Sequence, residues 1–227
     1  MSARDDILSR IRAAEDRPAT PPVRAAAGGG EGAAEPDRAA TVPAYRVDGT
    51  LDAESRLALF MARLEEYGVN AVRCSATELG GAIAAALEAR GVGTMVAPPG
   101  LPAAWEVAGA TWLADEPEPL SSERLAATGG VLTGCAVAIA ETGTLVLDAG
   151  EGQGRRALTL VPDYHLCVVR AEQIVQTVPE AMRRLEPAAR AGRPITLVSG
   201  PSATSDIELS RVPGVHGPRT LDVVVVA

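Results

Sequence analysis

Residues 69–97 read VNAVRCSATELGGAIAAALEARGVGTMVA, and their order decides the fold. Val69 to Arg73 is a short apolar run that predicts a strand. Thr77 follows as a helix cap, Leu79, Ile83 and Leu87 recur along one helical face, and Gly91 supplies the stop. Val92 to Ala97 predicts a second strand, ended by Pro98-Pro99-Gly100. Helix alternating with short apolar strand is the signature of an α/β layer with a mainly parallel sheet flanked by helices.

The same texture extends outward. Upstream, a helix starts at Asp52 or Ala53, carries Leu57, Phe60, Met61 and Leu64 at core spacing, and ends at Gly68. Downstream, Pro102 to Val107 predicts one helical turn and Ala110 to Ala114 another strand. From Gly129 the pattern changes. Val131 to Ala140 and Thr144 to Asp148 are apolar runs joined by the turn Glu141-Thr142-Gly143. A Gly-rich loop, 150–154, leads to Arg155-Arg156, then to a short helix over Leu158 to Val161 and a strand over His165 to Val169. Pro179 opens a helix carrying Met182, Leu185 and Ala189. Ile195 to Val198 and Leu221 to Val226 are the last strands, separated by the loop 199–219, SGPSATSDIELSRVPGVHGPR.

Three segments are expected: a short amphipathic helix over 1–15, a Pro/Ala/Gly-rich linker over 16–49, and one α/β domain over 50–227. The helix suits docking on a partner, on its own domain or on a twin subunit, so a homo-oligomer is compatible with it.

Formal charge is −8, from 29 acidic against 21 basic residues, which argues against nucleic acid or an anionic membrane surface as the main partner. Every cation is an arginine and no lysine occurs, which excludes Schiff-base chemistry and a Walker-type phosphate lysine. Fixed positive charge for an anion must come from the planar fork of arginine. Cys74, Cys135 and Cys167 form no C-x-x-C pair and frame neither an iron–sulfur nor a structural zinc site alone. With no apolar leader and no span-like stretch, the expectation is a cytoplasmic protein without membrane insertion. No metal or cofactor is expected.

The 199–219 loop offers backbone N–H groups with little bulk beside hydroxyls from Ser199, Ser202, Thr204 and Ser205, a combination that suits carboxylate or phosphate. A well-capped surface turn is the plainer reading. Gly200 belongs to the same cradle. Asp206 and Glu208 fit a substrate hydroxyl, a divalent cation or the loop's own capping. His216 and Arg219 place a titratable ring and a guanidinium ahead of the last strand, so a 2-hydroxy or 2-oxo acid would find partners for both its carboxylate and its oxygen. Glu141, held between two apolar strands, is a candidate base, nucleophile or ligand, with Thr142 beside it; a carboxylate that only binds backbone N–H groups is the alternative. Arg155-Arg156 reads either as a clamp over an anion or as a solvated pair. His165, at a strand start after Pro162-Asp163-Tyr164, reads first as a satisfied core histidine.

Three ordered motifs carry a resemblance: TGCAVAIAETGTLVL over 133–147, SGPSATSDIE over 199–208 and GVHGPR over 214–219. Together they resemble the lactate utilisation protein C family, or LUD-domain proteins, strongly over 128–226 and weakly over 50–127. Leu221-Asp222 departs from the family pattern, in which a histidine is expected near that strand. The resemblance implies a fold similar to the ribose-phosphate isomerase, glucosamine-phosphate deaminase and CoA-transferase group. It further implies a role in a multi-subunit system that oxidises L-lactate to pyruvate, with the iron–sulfur clusters in companion subunits. Joined to the anion cradle at 199–219, this makes the expectation a non-redox substrate-binding or assembly subunit with a small carboxylate as ligand. The alternative is a stand-alone acyl or CoA transferase with Glu141 as nucleophile, because CoA transferases of that fold use a glutamate in a similar turn. In either reading Glu141 and His216 are the catalytic candidates. Thr142, Ser199, Gly200, Ser202, Thr204, Asp206, Glu208 and Arg219 are the substrate-binding ones.

Overall fold

The computed structural model describes residues 46–205, 211–213 and 217–227, with backbone alone for 203–205 and 211–213. The expected 1–15 helix and most of the 16–49 linker lie outside the described residues. Residues 46–49 are tied to the domain: Gly49 N donates to Glu180 Oε1 (3.1 Å) and Thr177 Oγ1 donates to the Val47 carbonyl (2.8 Å).

Six strands form one wholly parallel sheet: β1 (Asn70–Cys74), β2 (Thr94–Ala97), β3 (Thr111–Ala114), β4 (Gly130–Thr133), β7 (Tyr164–Arg170) and β12 (Thr220–Val226). Their order is β1-β12-β7-β4-β2-β3. The last strand of the chain thus enters the middle, pairing with β1 on one side and β7 on the other. β4, β7 and β12 are buried along nearly their whole length, as apolar runs covered on both faces should be.

A second sheet, ordered β8-β5-β6-β9, contains β5 (Val137–Ile139), β6 (Thr144–Leu147), β8 (Ile174–Val175) and β9 (Thr196–Val198). The apolar run 131–140 is therefore two strands rather than one. It leaves the parallel sheet at Gly134 and enters the second sheet at Val137. β10 (Ala203–Ser205) and β11 (Arg211–Pro213) form an antiparallel hairpin inside the 199–219 loop.

Helix α2 (Leu79–Arg90) covers one face of the parallel sheet, where Leu79, Ile83 and Leu87 meet Met95, Leu132, Leu166, Val168 and Val224. Its N-cap is Glu78, without a side-chain cap bond, whereas Thr77 Oγ1 lies 3.0 Å from Ser75 Oγ. The opposite face carries helix α1 (Ala53–Glu66) and the second sheet, with Phe60, Leu64, Leu145, Val169 and Val223 in one apolar cluster. Helix α3 (Ser122–Ala126) and the short 3-10 helix Arg156–Thr159 extend that cover over β2 and β4. Helix α4 (Val178–Arg190) closes the outer side of the second sheet through Ala181 and Leu185. Thr177 and Glu180 cap it reciprocally, with Pro179 in its first turn. Among the described residues no helix is long and apolar enough to cross a membrane.

Candidate functional site

Strand β9 ends at Val198 and delivers Ser199 beside the β5–β6 turn. Thr142 Oγ1 lies 2.7 Å from Thr144 Oγ1, which lies 2.7 Å from Ser199 Oγ, so one chain of hydroxyls joins turn and loop. Gly200 follows in the left-handed region (φ 88°), and a Cβ there would stand 2.9 Å from the Tyr67 Cβ. Further along, Ser202 N donates to the Pro218 carbonyl (2.8 Å), pinning the two arms of the loop together, and Thr220 N donates to the Asp163 carbonyl (3.1 Å). These arms bound a cavity of about 260 Å³ lined by Ser199, Gly200, Ser202, Arg156, Thr159 and His165, among others.

His165 is the polar residue that the apolar neighbourhood makes conspicuous. It is the second residue of β7, 1% exposed, with Val131 and Leu221 as register neighbours. Its Nε2 is 2.7 Å from Thr133 Oγ1, and its Nδ1 has no partner among the described residues. A buried ring nitrogen without a partner is rare and asks for a ligand group or a water. Two residues on, Cys167 completes the string. Buried Cys167 donates to the Gly134 carbonyl (3.6 Å), and the neighbouring Cys135 thiol and His165 ring lower its pKa against burial. Among the described residues the cation lining this cavity is Arg156, whose Nη1 donates to the Thr159 carbonyl (3.1 Å) and Oγ1 (3.2 Å). Guanidinium, hydroxyls and an unpaired imidazole nitrogen suit a small anion that carries one further polar oxygen.

The other expected site residues are placed as follows. Glu141 N donates to the Gln176 carbonyl (3.1 Å), and its carboxylate accepts from Gln176 Nε2 (3.1 Å) and pairs with Arg46. It is not among the residues lining the cavity, although Thr142 ties its turn to Ser199. Arg219 is exposed, 3.5 Å from the Asp163 carboxylate, and also outside the lining. Thr204 lies in β10, opposite Val212. Asp206, Glu208 and His216 lie outside the described residues. Arg155 is bound bidentately to buried Asp115 (2.7 and 2.9 Å), so the two neighbouring arginines separate into one structural and one cavity residue. The residue pattern does not single out Thr133, and it reads His165 first as a core or turn histidine while its place at a strand end keeps it a candidate. The available signal was a histidine opening an otherwise apolar strand. Among the described residues no cluster of three His, Cys, Asp or Glu side chains could hold a metal ion.

Comparison with known proteins places these features in context. The family model described as LUD domain matches residues 57–226. A protein of Deinococcus radiodurans named Lactate utilization protein C is 53% identical over 190 residues, covering 83% of this chain and 88% of that one. A protein of the same name from Halalkalibacterium halodurans is 38% identical over 84 residues, 35% of this chain and 36% of that one. Among solved structures, a DUF162 family protein from Deinococcus radiodurans matches with a TM-score of 0.69 at 48% identity, covering 78% of this chain and 100% of the other.

Proposed function

We propose that this chain, which belongs to the LUD domain family, serves lactate utilisation by binding a small 2-hydroxy or 2-oxo acid in the cavity between His165 and Ser199. In this reading it is a non-redox, cytoplasmic subunit, and iron–sulfur companion subunits carry the electrons. The name of the 53%-identical relative supports the process, and the unpaired, buried Nδ1 of His165 supports the site. The ligand carboxylate engages Arg156 and the hydroxyls of Ser199 and Ser202, while its hydroxyl or keto oxygen meets His165. The Thr204–Glu208 segment, His216 and Arg219 belong in sequence to the same 199–219 loop. Glu141 acts through the turn that Thr142 and Thr144 tie to Ser199. The layered architecture is compatible with kinship to the ribose-phosphate isomerase and CoA-transferase group.

Titration calorimetry with L-lactate and with pyruvate tests this reading. Binding of either acid, weakened in Arg156→Gln by about 1.5–3 kcal/mol for the loss of a charge-assisted contact, is the expected result. Arg156 is exposed, so this variant should fold. No heat with either acid would sink the proposal.

A further inference from the structure

We propose a second binding site, at the carboxyl ends of β2 and β4, for a nucleotide-type ligand: a planar ring bearing phosphate. The chain leaves β2 to build β3 on one side, then returns to place β4 on the other side of β2 and continues to β7 and β12. The winding of the parallel sheet reverses there, and in open α/β sheets ligands bind outside the carboxyl ends of the strands at such a reversal. A cavity of about 560 Å³ occupies this place, lined by Gly100, Trp105, Gly134, Gln153, Arg184 and Arg193, among others. It is distinct from the His165 cavity, which lies at the amino ends of β7 and β12.

The floor is a built structure. Loop 150–154 is threaded between the two strand ends: Gly152 N donates to the Pro99 carbonyl (2.8 Å), and Gly134 N donates to the Gly152 carbonyl (2.9 Å). Two buried side chains lock it, Gln153 accepting from Asp148 N (2.7 Å) and donating to Asp148 Oδ1 (2.9 Å). Ala149 is held in the left-handed region (φ 53°), a conformation that a non-glycine residue keeps only when its surroundings impose it. A Cβ on Gly150 would come 2.8 Å from Arg193 Nη1, so the glycine lets that guanidinium lie against the loop backbone.

The lining combines two chemistries. Arg170, Arg184 and Arg193 all line the cavity, in a chain of net charge −8 that has no lysine. Arg193 is paired with Asp148 (2.7 Å) and Arg170 with Glu172 (2.8 Å). Arg184 donates to the Glu172 carbonyl (2.9 Å), and among the described residues no carboxylate neutralises it. Asp148 and Glu151 also line the cavity, so among the described residues its three arginines outnumber its two carboxylates. Arginine forks match phosphate oxygens bidentately. Half-buried Trp105 lines it as well, close enough that a Cβ on Gly134 would be 3.9 Å from its ring. A tryptophan that shares a cavity with guanidinium groups offers stacking area for a planar ring whose phosphates reach the arginines. The volume lies within the range of cofactor-sized sites, and is about twice that of the His165 cavity.

The test titrates the full chain with ADP, adenosine and pyrophosphate separately, read by calorimetry and tryptophan fluorescence. ADP is expected to bind more tightly than either fragment and to change the fluorescence. Arg184→Gln should weaken ADP at least tenfold with an unchanged melting temperature. Trp105→Leu, which also trims packing against the core, should weaken it severalfold and remove the fluorescence change while keeping a cooperative melt. No ADP heat at millimolar concentration, or equal ADP affinity in Arg184→Gln, overturns the proposal. Pyrophosphate binding as tightly as ADP overturns the ring. Pyruvate or lactate titrated into the same variants reports the His165 cavity independently, so the two sites fail separately.

Discussion

His165 Nε2 and Thr133 Oγ1 stand 2.7 Å apart, a hydrogen bond across two buried parallel strands that orients the imidazole toward one fixed pose. Register places Val131, not Thr133, opposite His165, so the bond runs diagonally along the strand direction. It ties the only described histidine to a hydroxyl on the neighbouring strand.

Thr133→Val keeps the shape and removes the hydroxyl, leaving both ring nitrogens of His165 without a described partner. Stability is expected to fall by about 1–3 kcal/mol, the cost of a buried polar group left unsatisfied. Urea unfolding at unchanged m-value measures it, and Thr133→Ser should recover most of the loss. An unshifted midpoint in Thr133→Val would show that the bond does not hold the ring.

Asp222 has a structural role. It is 2% exposed and accepts from Arg90 Nε (3.0 Å), Arg90 Nη2 (2.6 Å) and Tyr164 Oη (3.0 Å), binding α2 to the sheet. Arg90→Ala strips the counterion from a buried carboxylate and should cost about 3 kcal/mol. Tyr164→Phe removes one hydrogen bond and should cost about 1 kcal/mol. Chemical denaturation of both variants checks the order; an equal effect would refute the charge argument.

Two glycines should respond to alanine with opposite signs. A Cβ at Gly81, within α2, meets nothing within 4 Å, so Gly81→Ala should stabilise by roughly 0.5–1 kcal/mol through helix propensity. A Cβ at Gly130 would stand 2.8 Å from both the Tyr164 carbonyl oxygen and its ring, so Gly130→Ala should destabilise by about 1–3 kcal/mol. Thermal melting separates the two, with Tm rising in the first and falling in the second.

Acid stability should depend on Asp115. Burial alone would raise its pKa, but the bidentate bond from Arg155 and the Leu120 amide outweigh burial and hold the carboxyl below its ordinary 3.8. The folded state therefore releases this proton more readily than the unfolded one. Its stabilisation is full above the unfolded value and is lost as pH falls through the folded one. In Asp115→Asn the protein should be less stable at neutral pH, and its stability should decline less steeply below about pH 4. Urea midpoints between neutral pH and pH 2.5 measure this; parallel acid limbs would exclude Asp115 as a contributor.

Local elements were legible because their signals are local. The strand–helix–strand unit at 69–97 follows from apolar spacing and from Gly91, which does take up the left-handed conformation (φ 63°) at the end of α2. The cap differs from the expected Thr77: Ser75, Thr77 and Glu78 offer three candidate caps within four positions, and Glu78 accepts from Ser75 N while Thr77 turns to Ser75. Family membership was likewise legible, since it resides in ordered motifs along the chain.

By itself the sequence determined which segments are buried, where helices stop, and that fixed positive charge at any anion site must come from arginine. Only the tertiary structure decided which sheet each strand joins, because an apolar run such as 131–140 satisfies burial equally well in one sheet or split between two. It likewise decided that Arg156 rather than Arg219 lines the His165 cavity and that Thr144 joins Ser199. Partners of this kind are residues tens of positions apart, and their proximity follows from strand order, which no local pattern encodes.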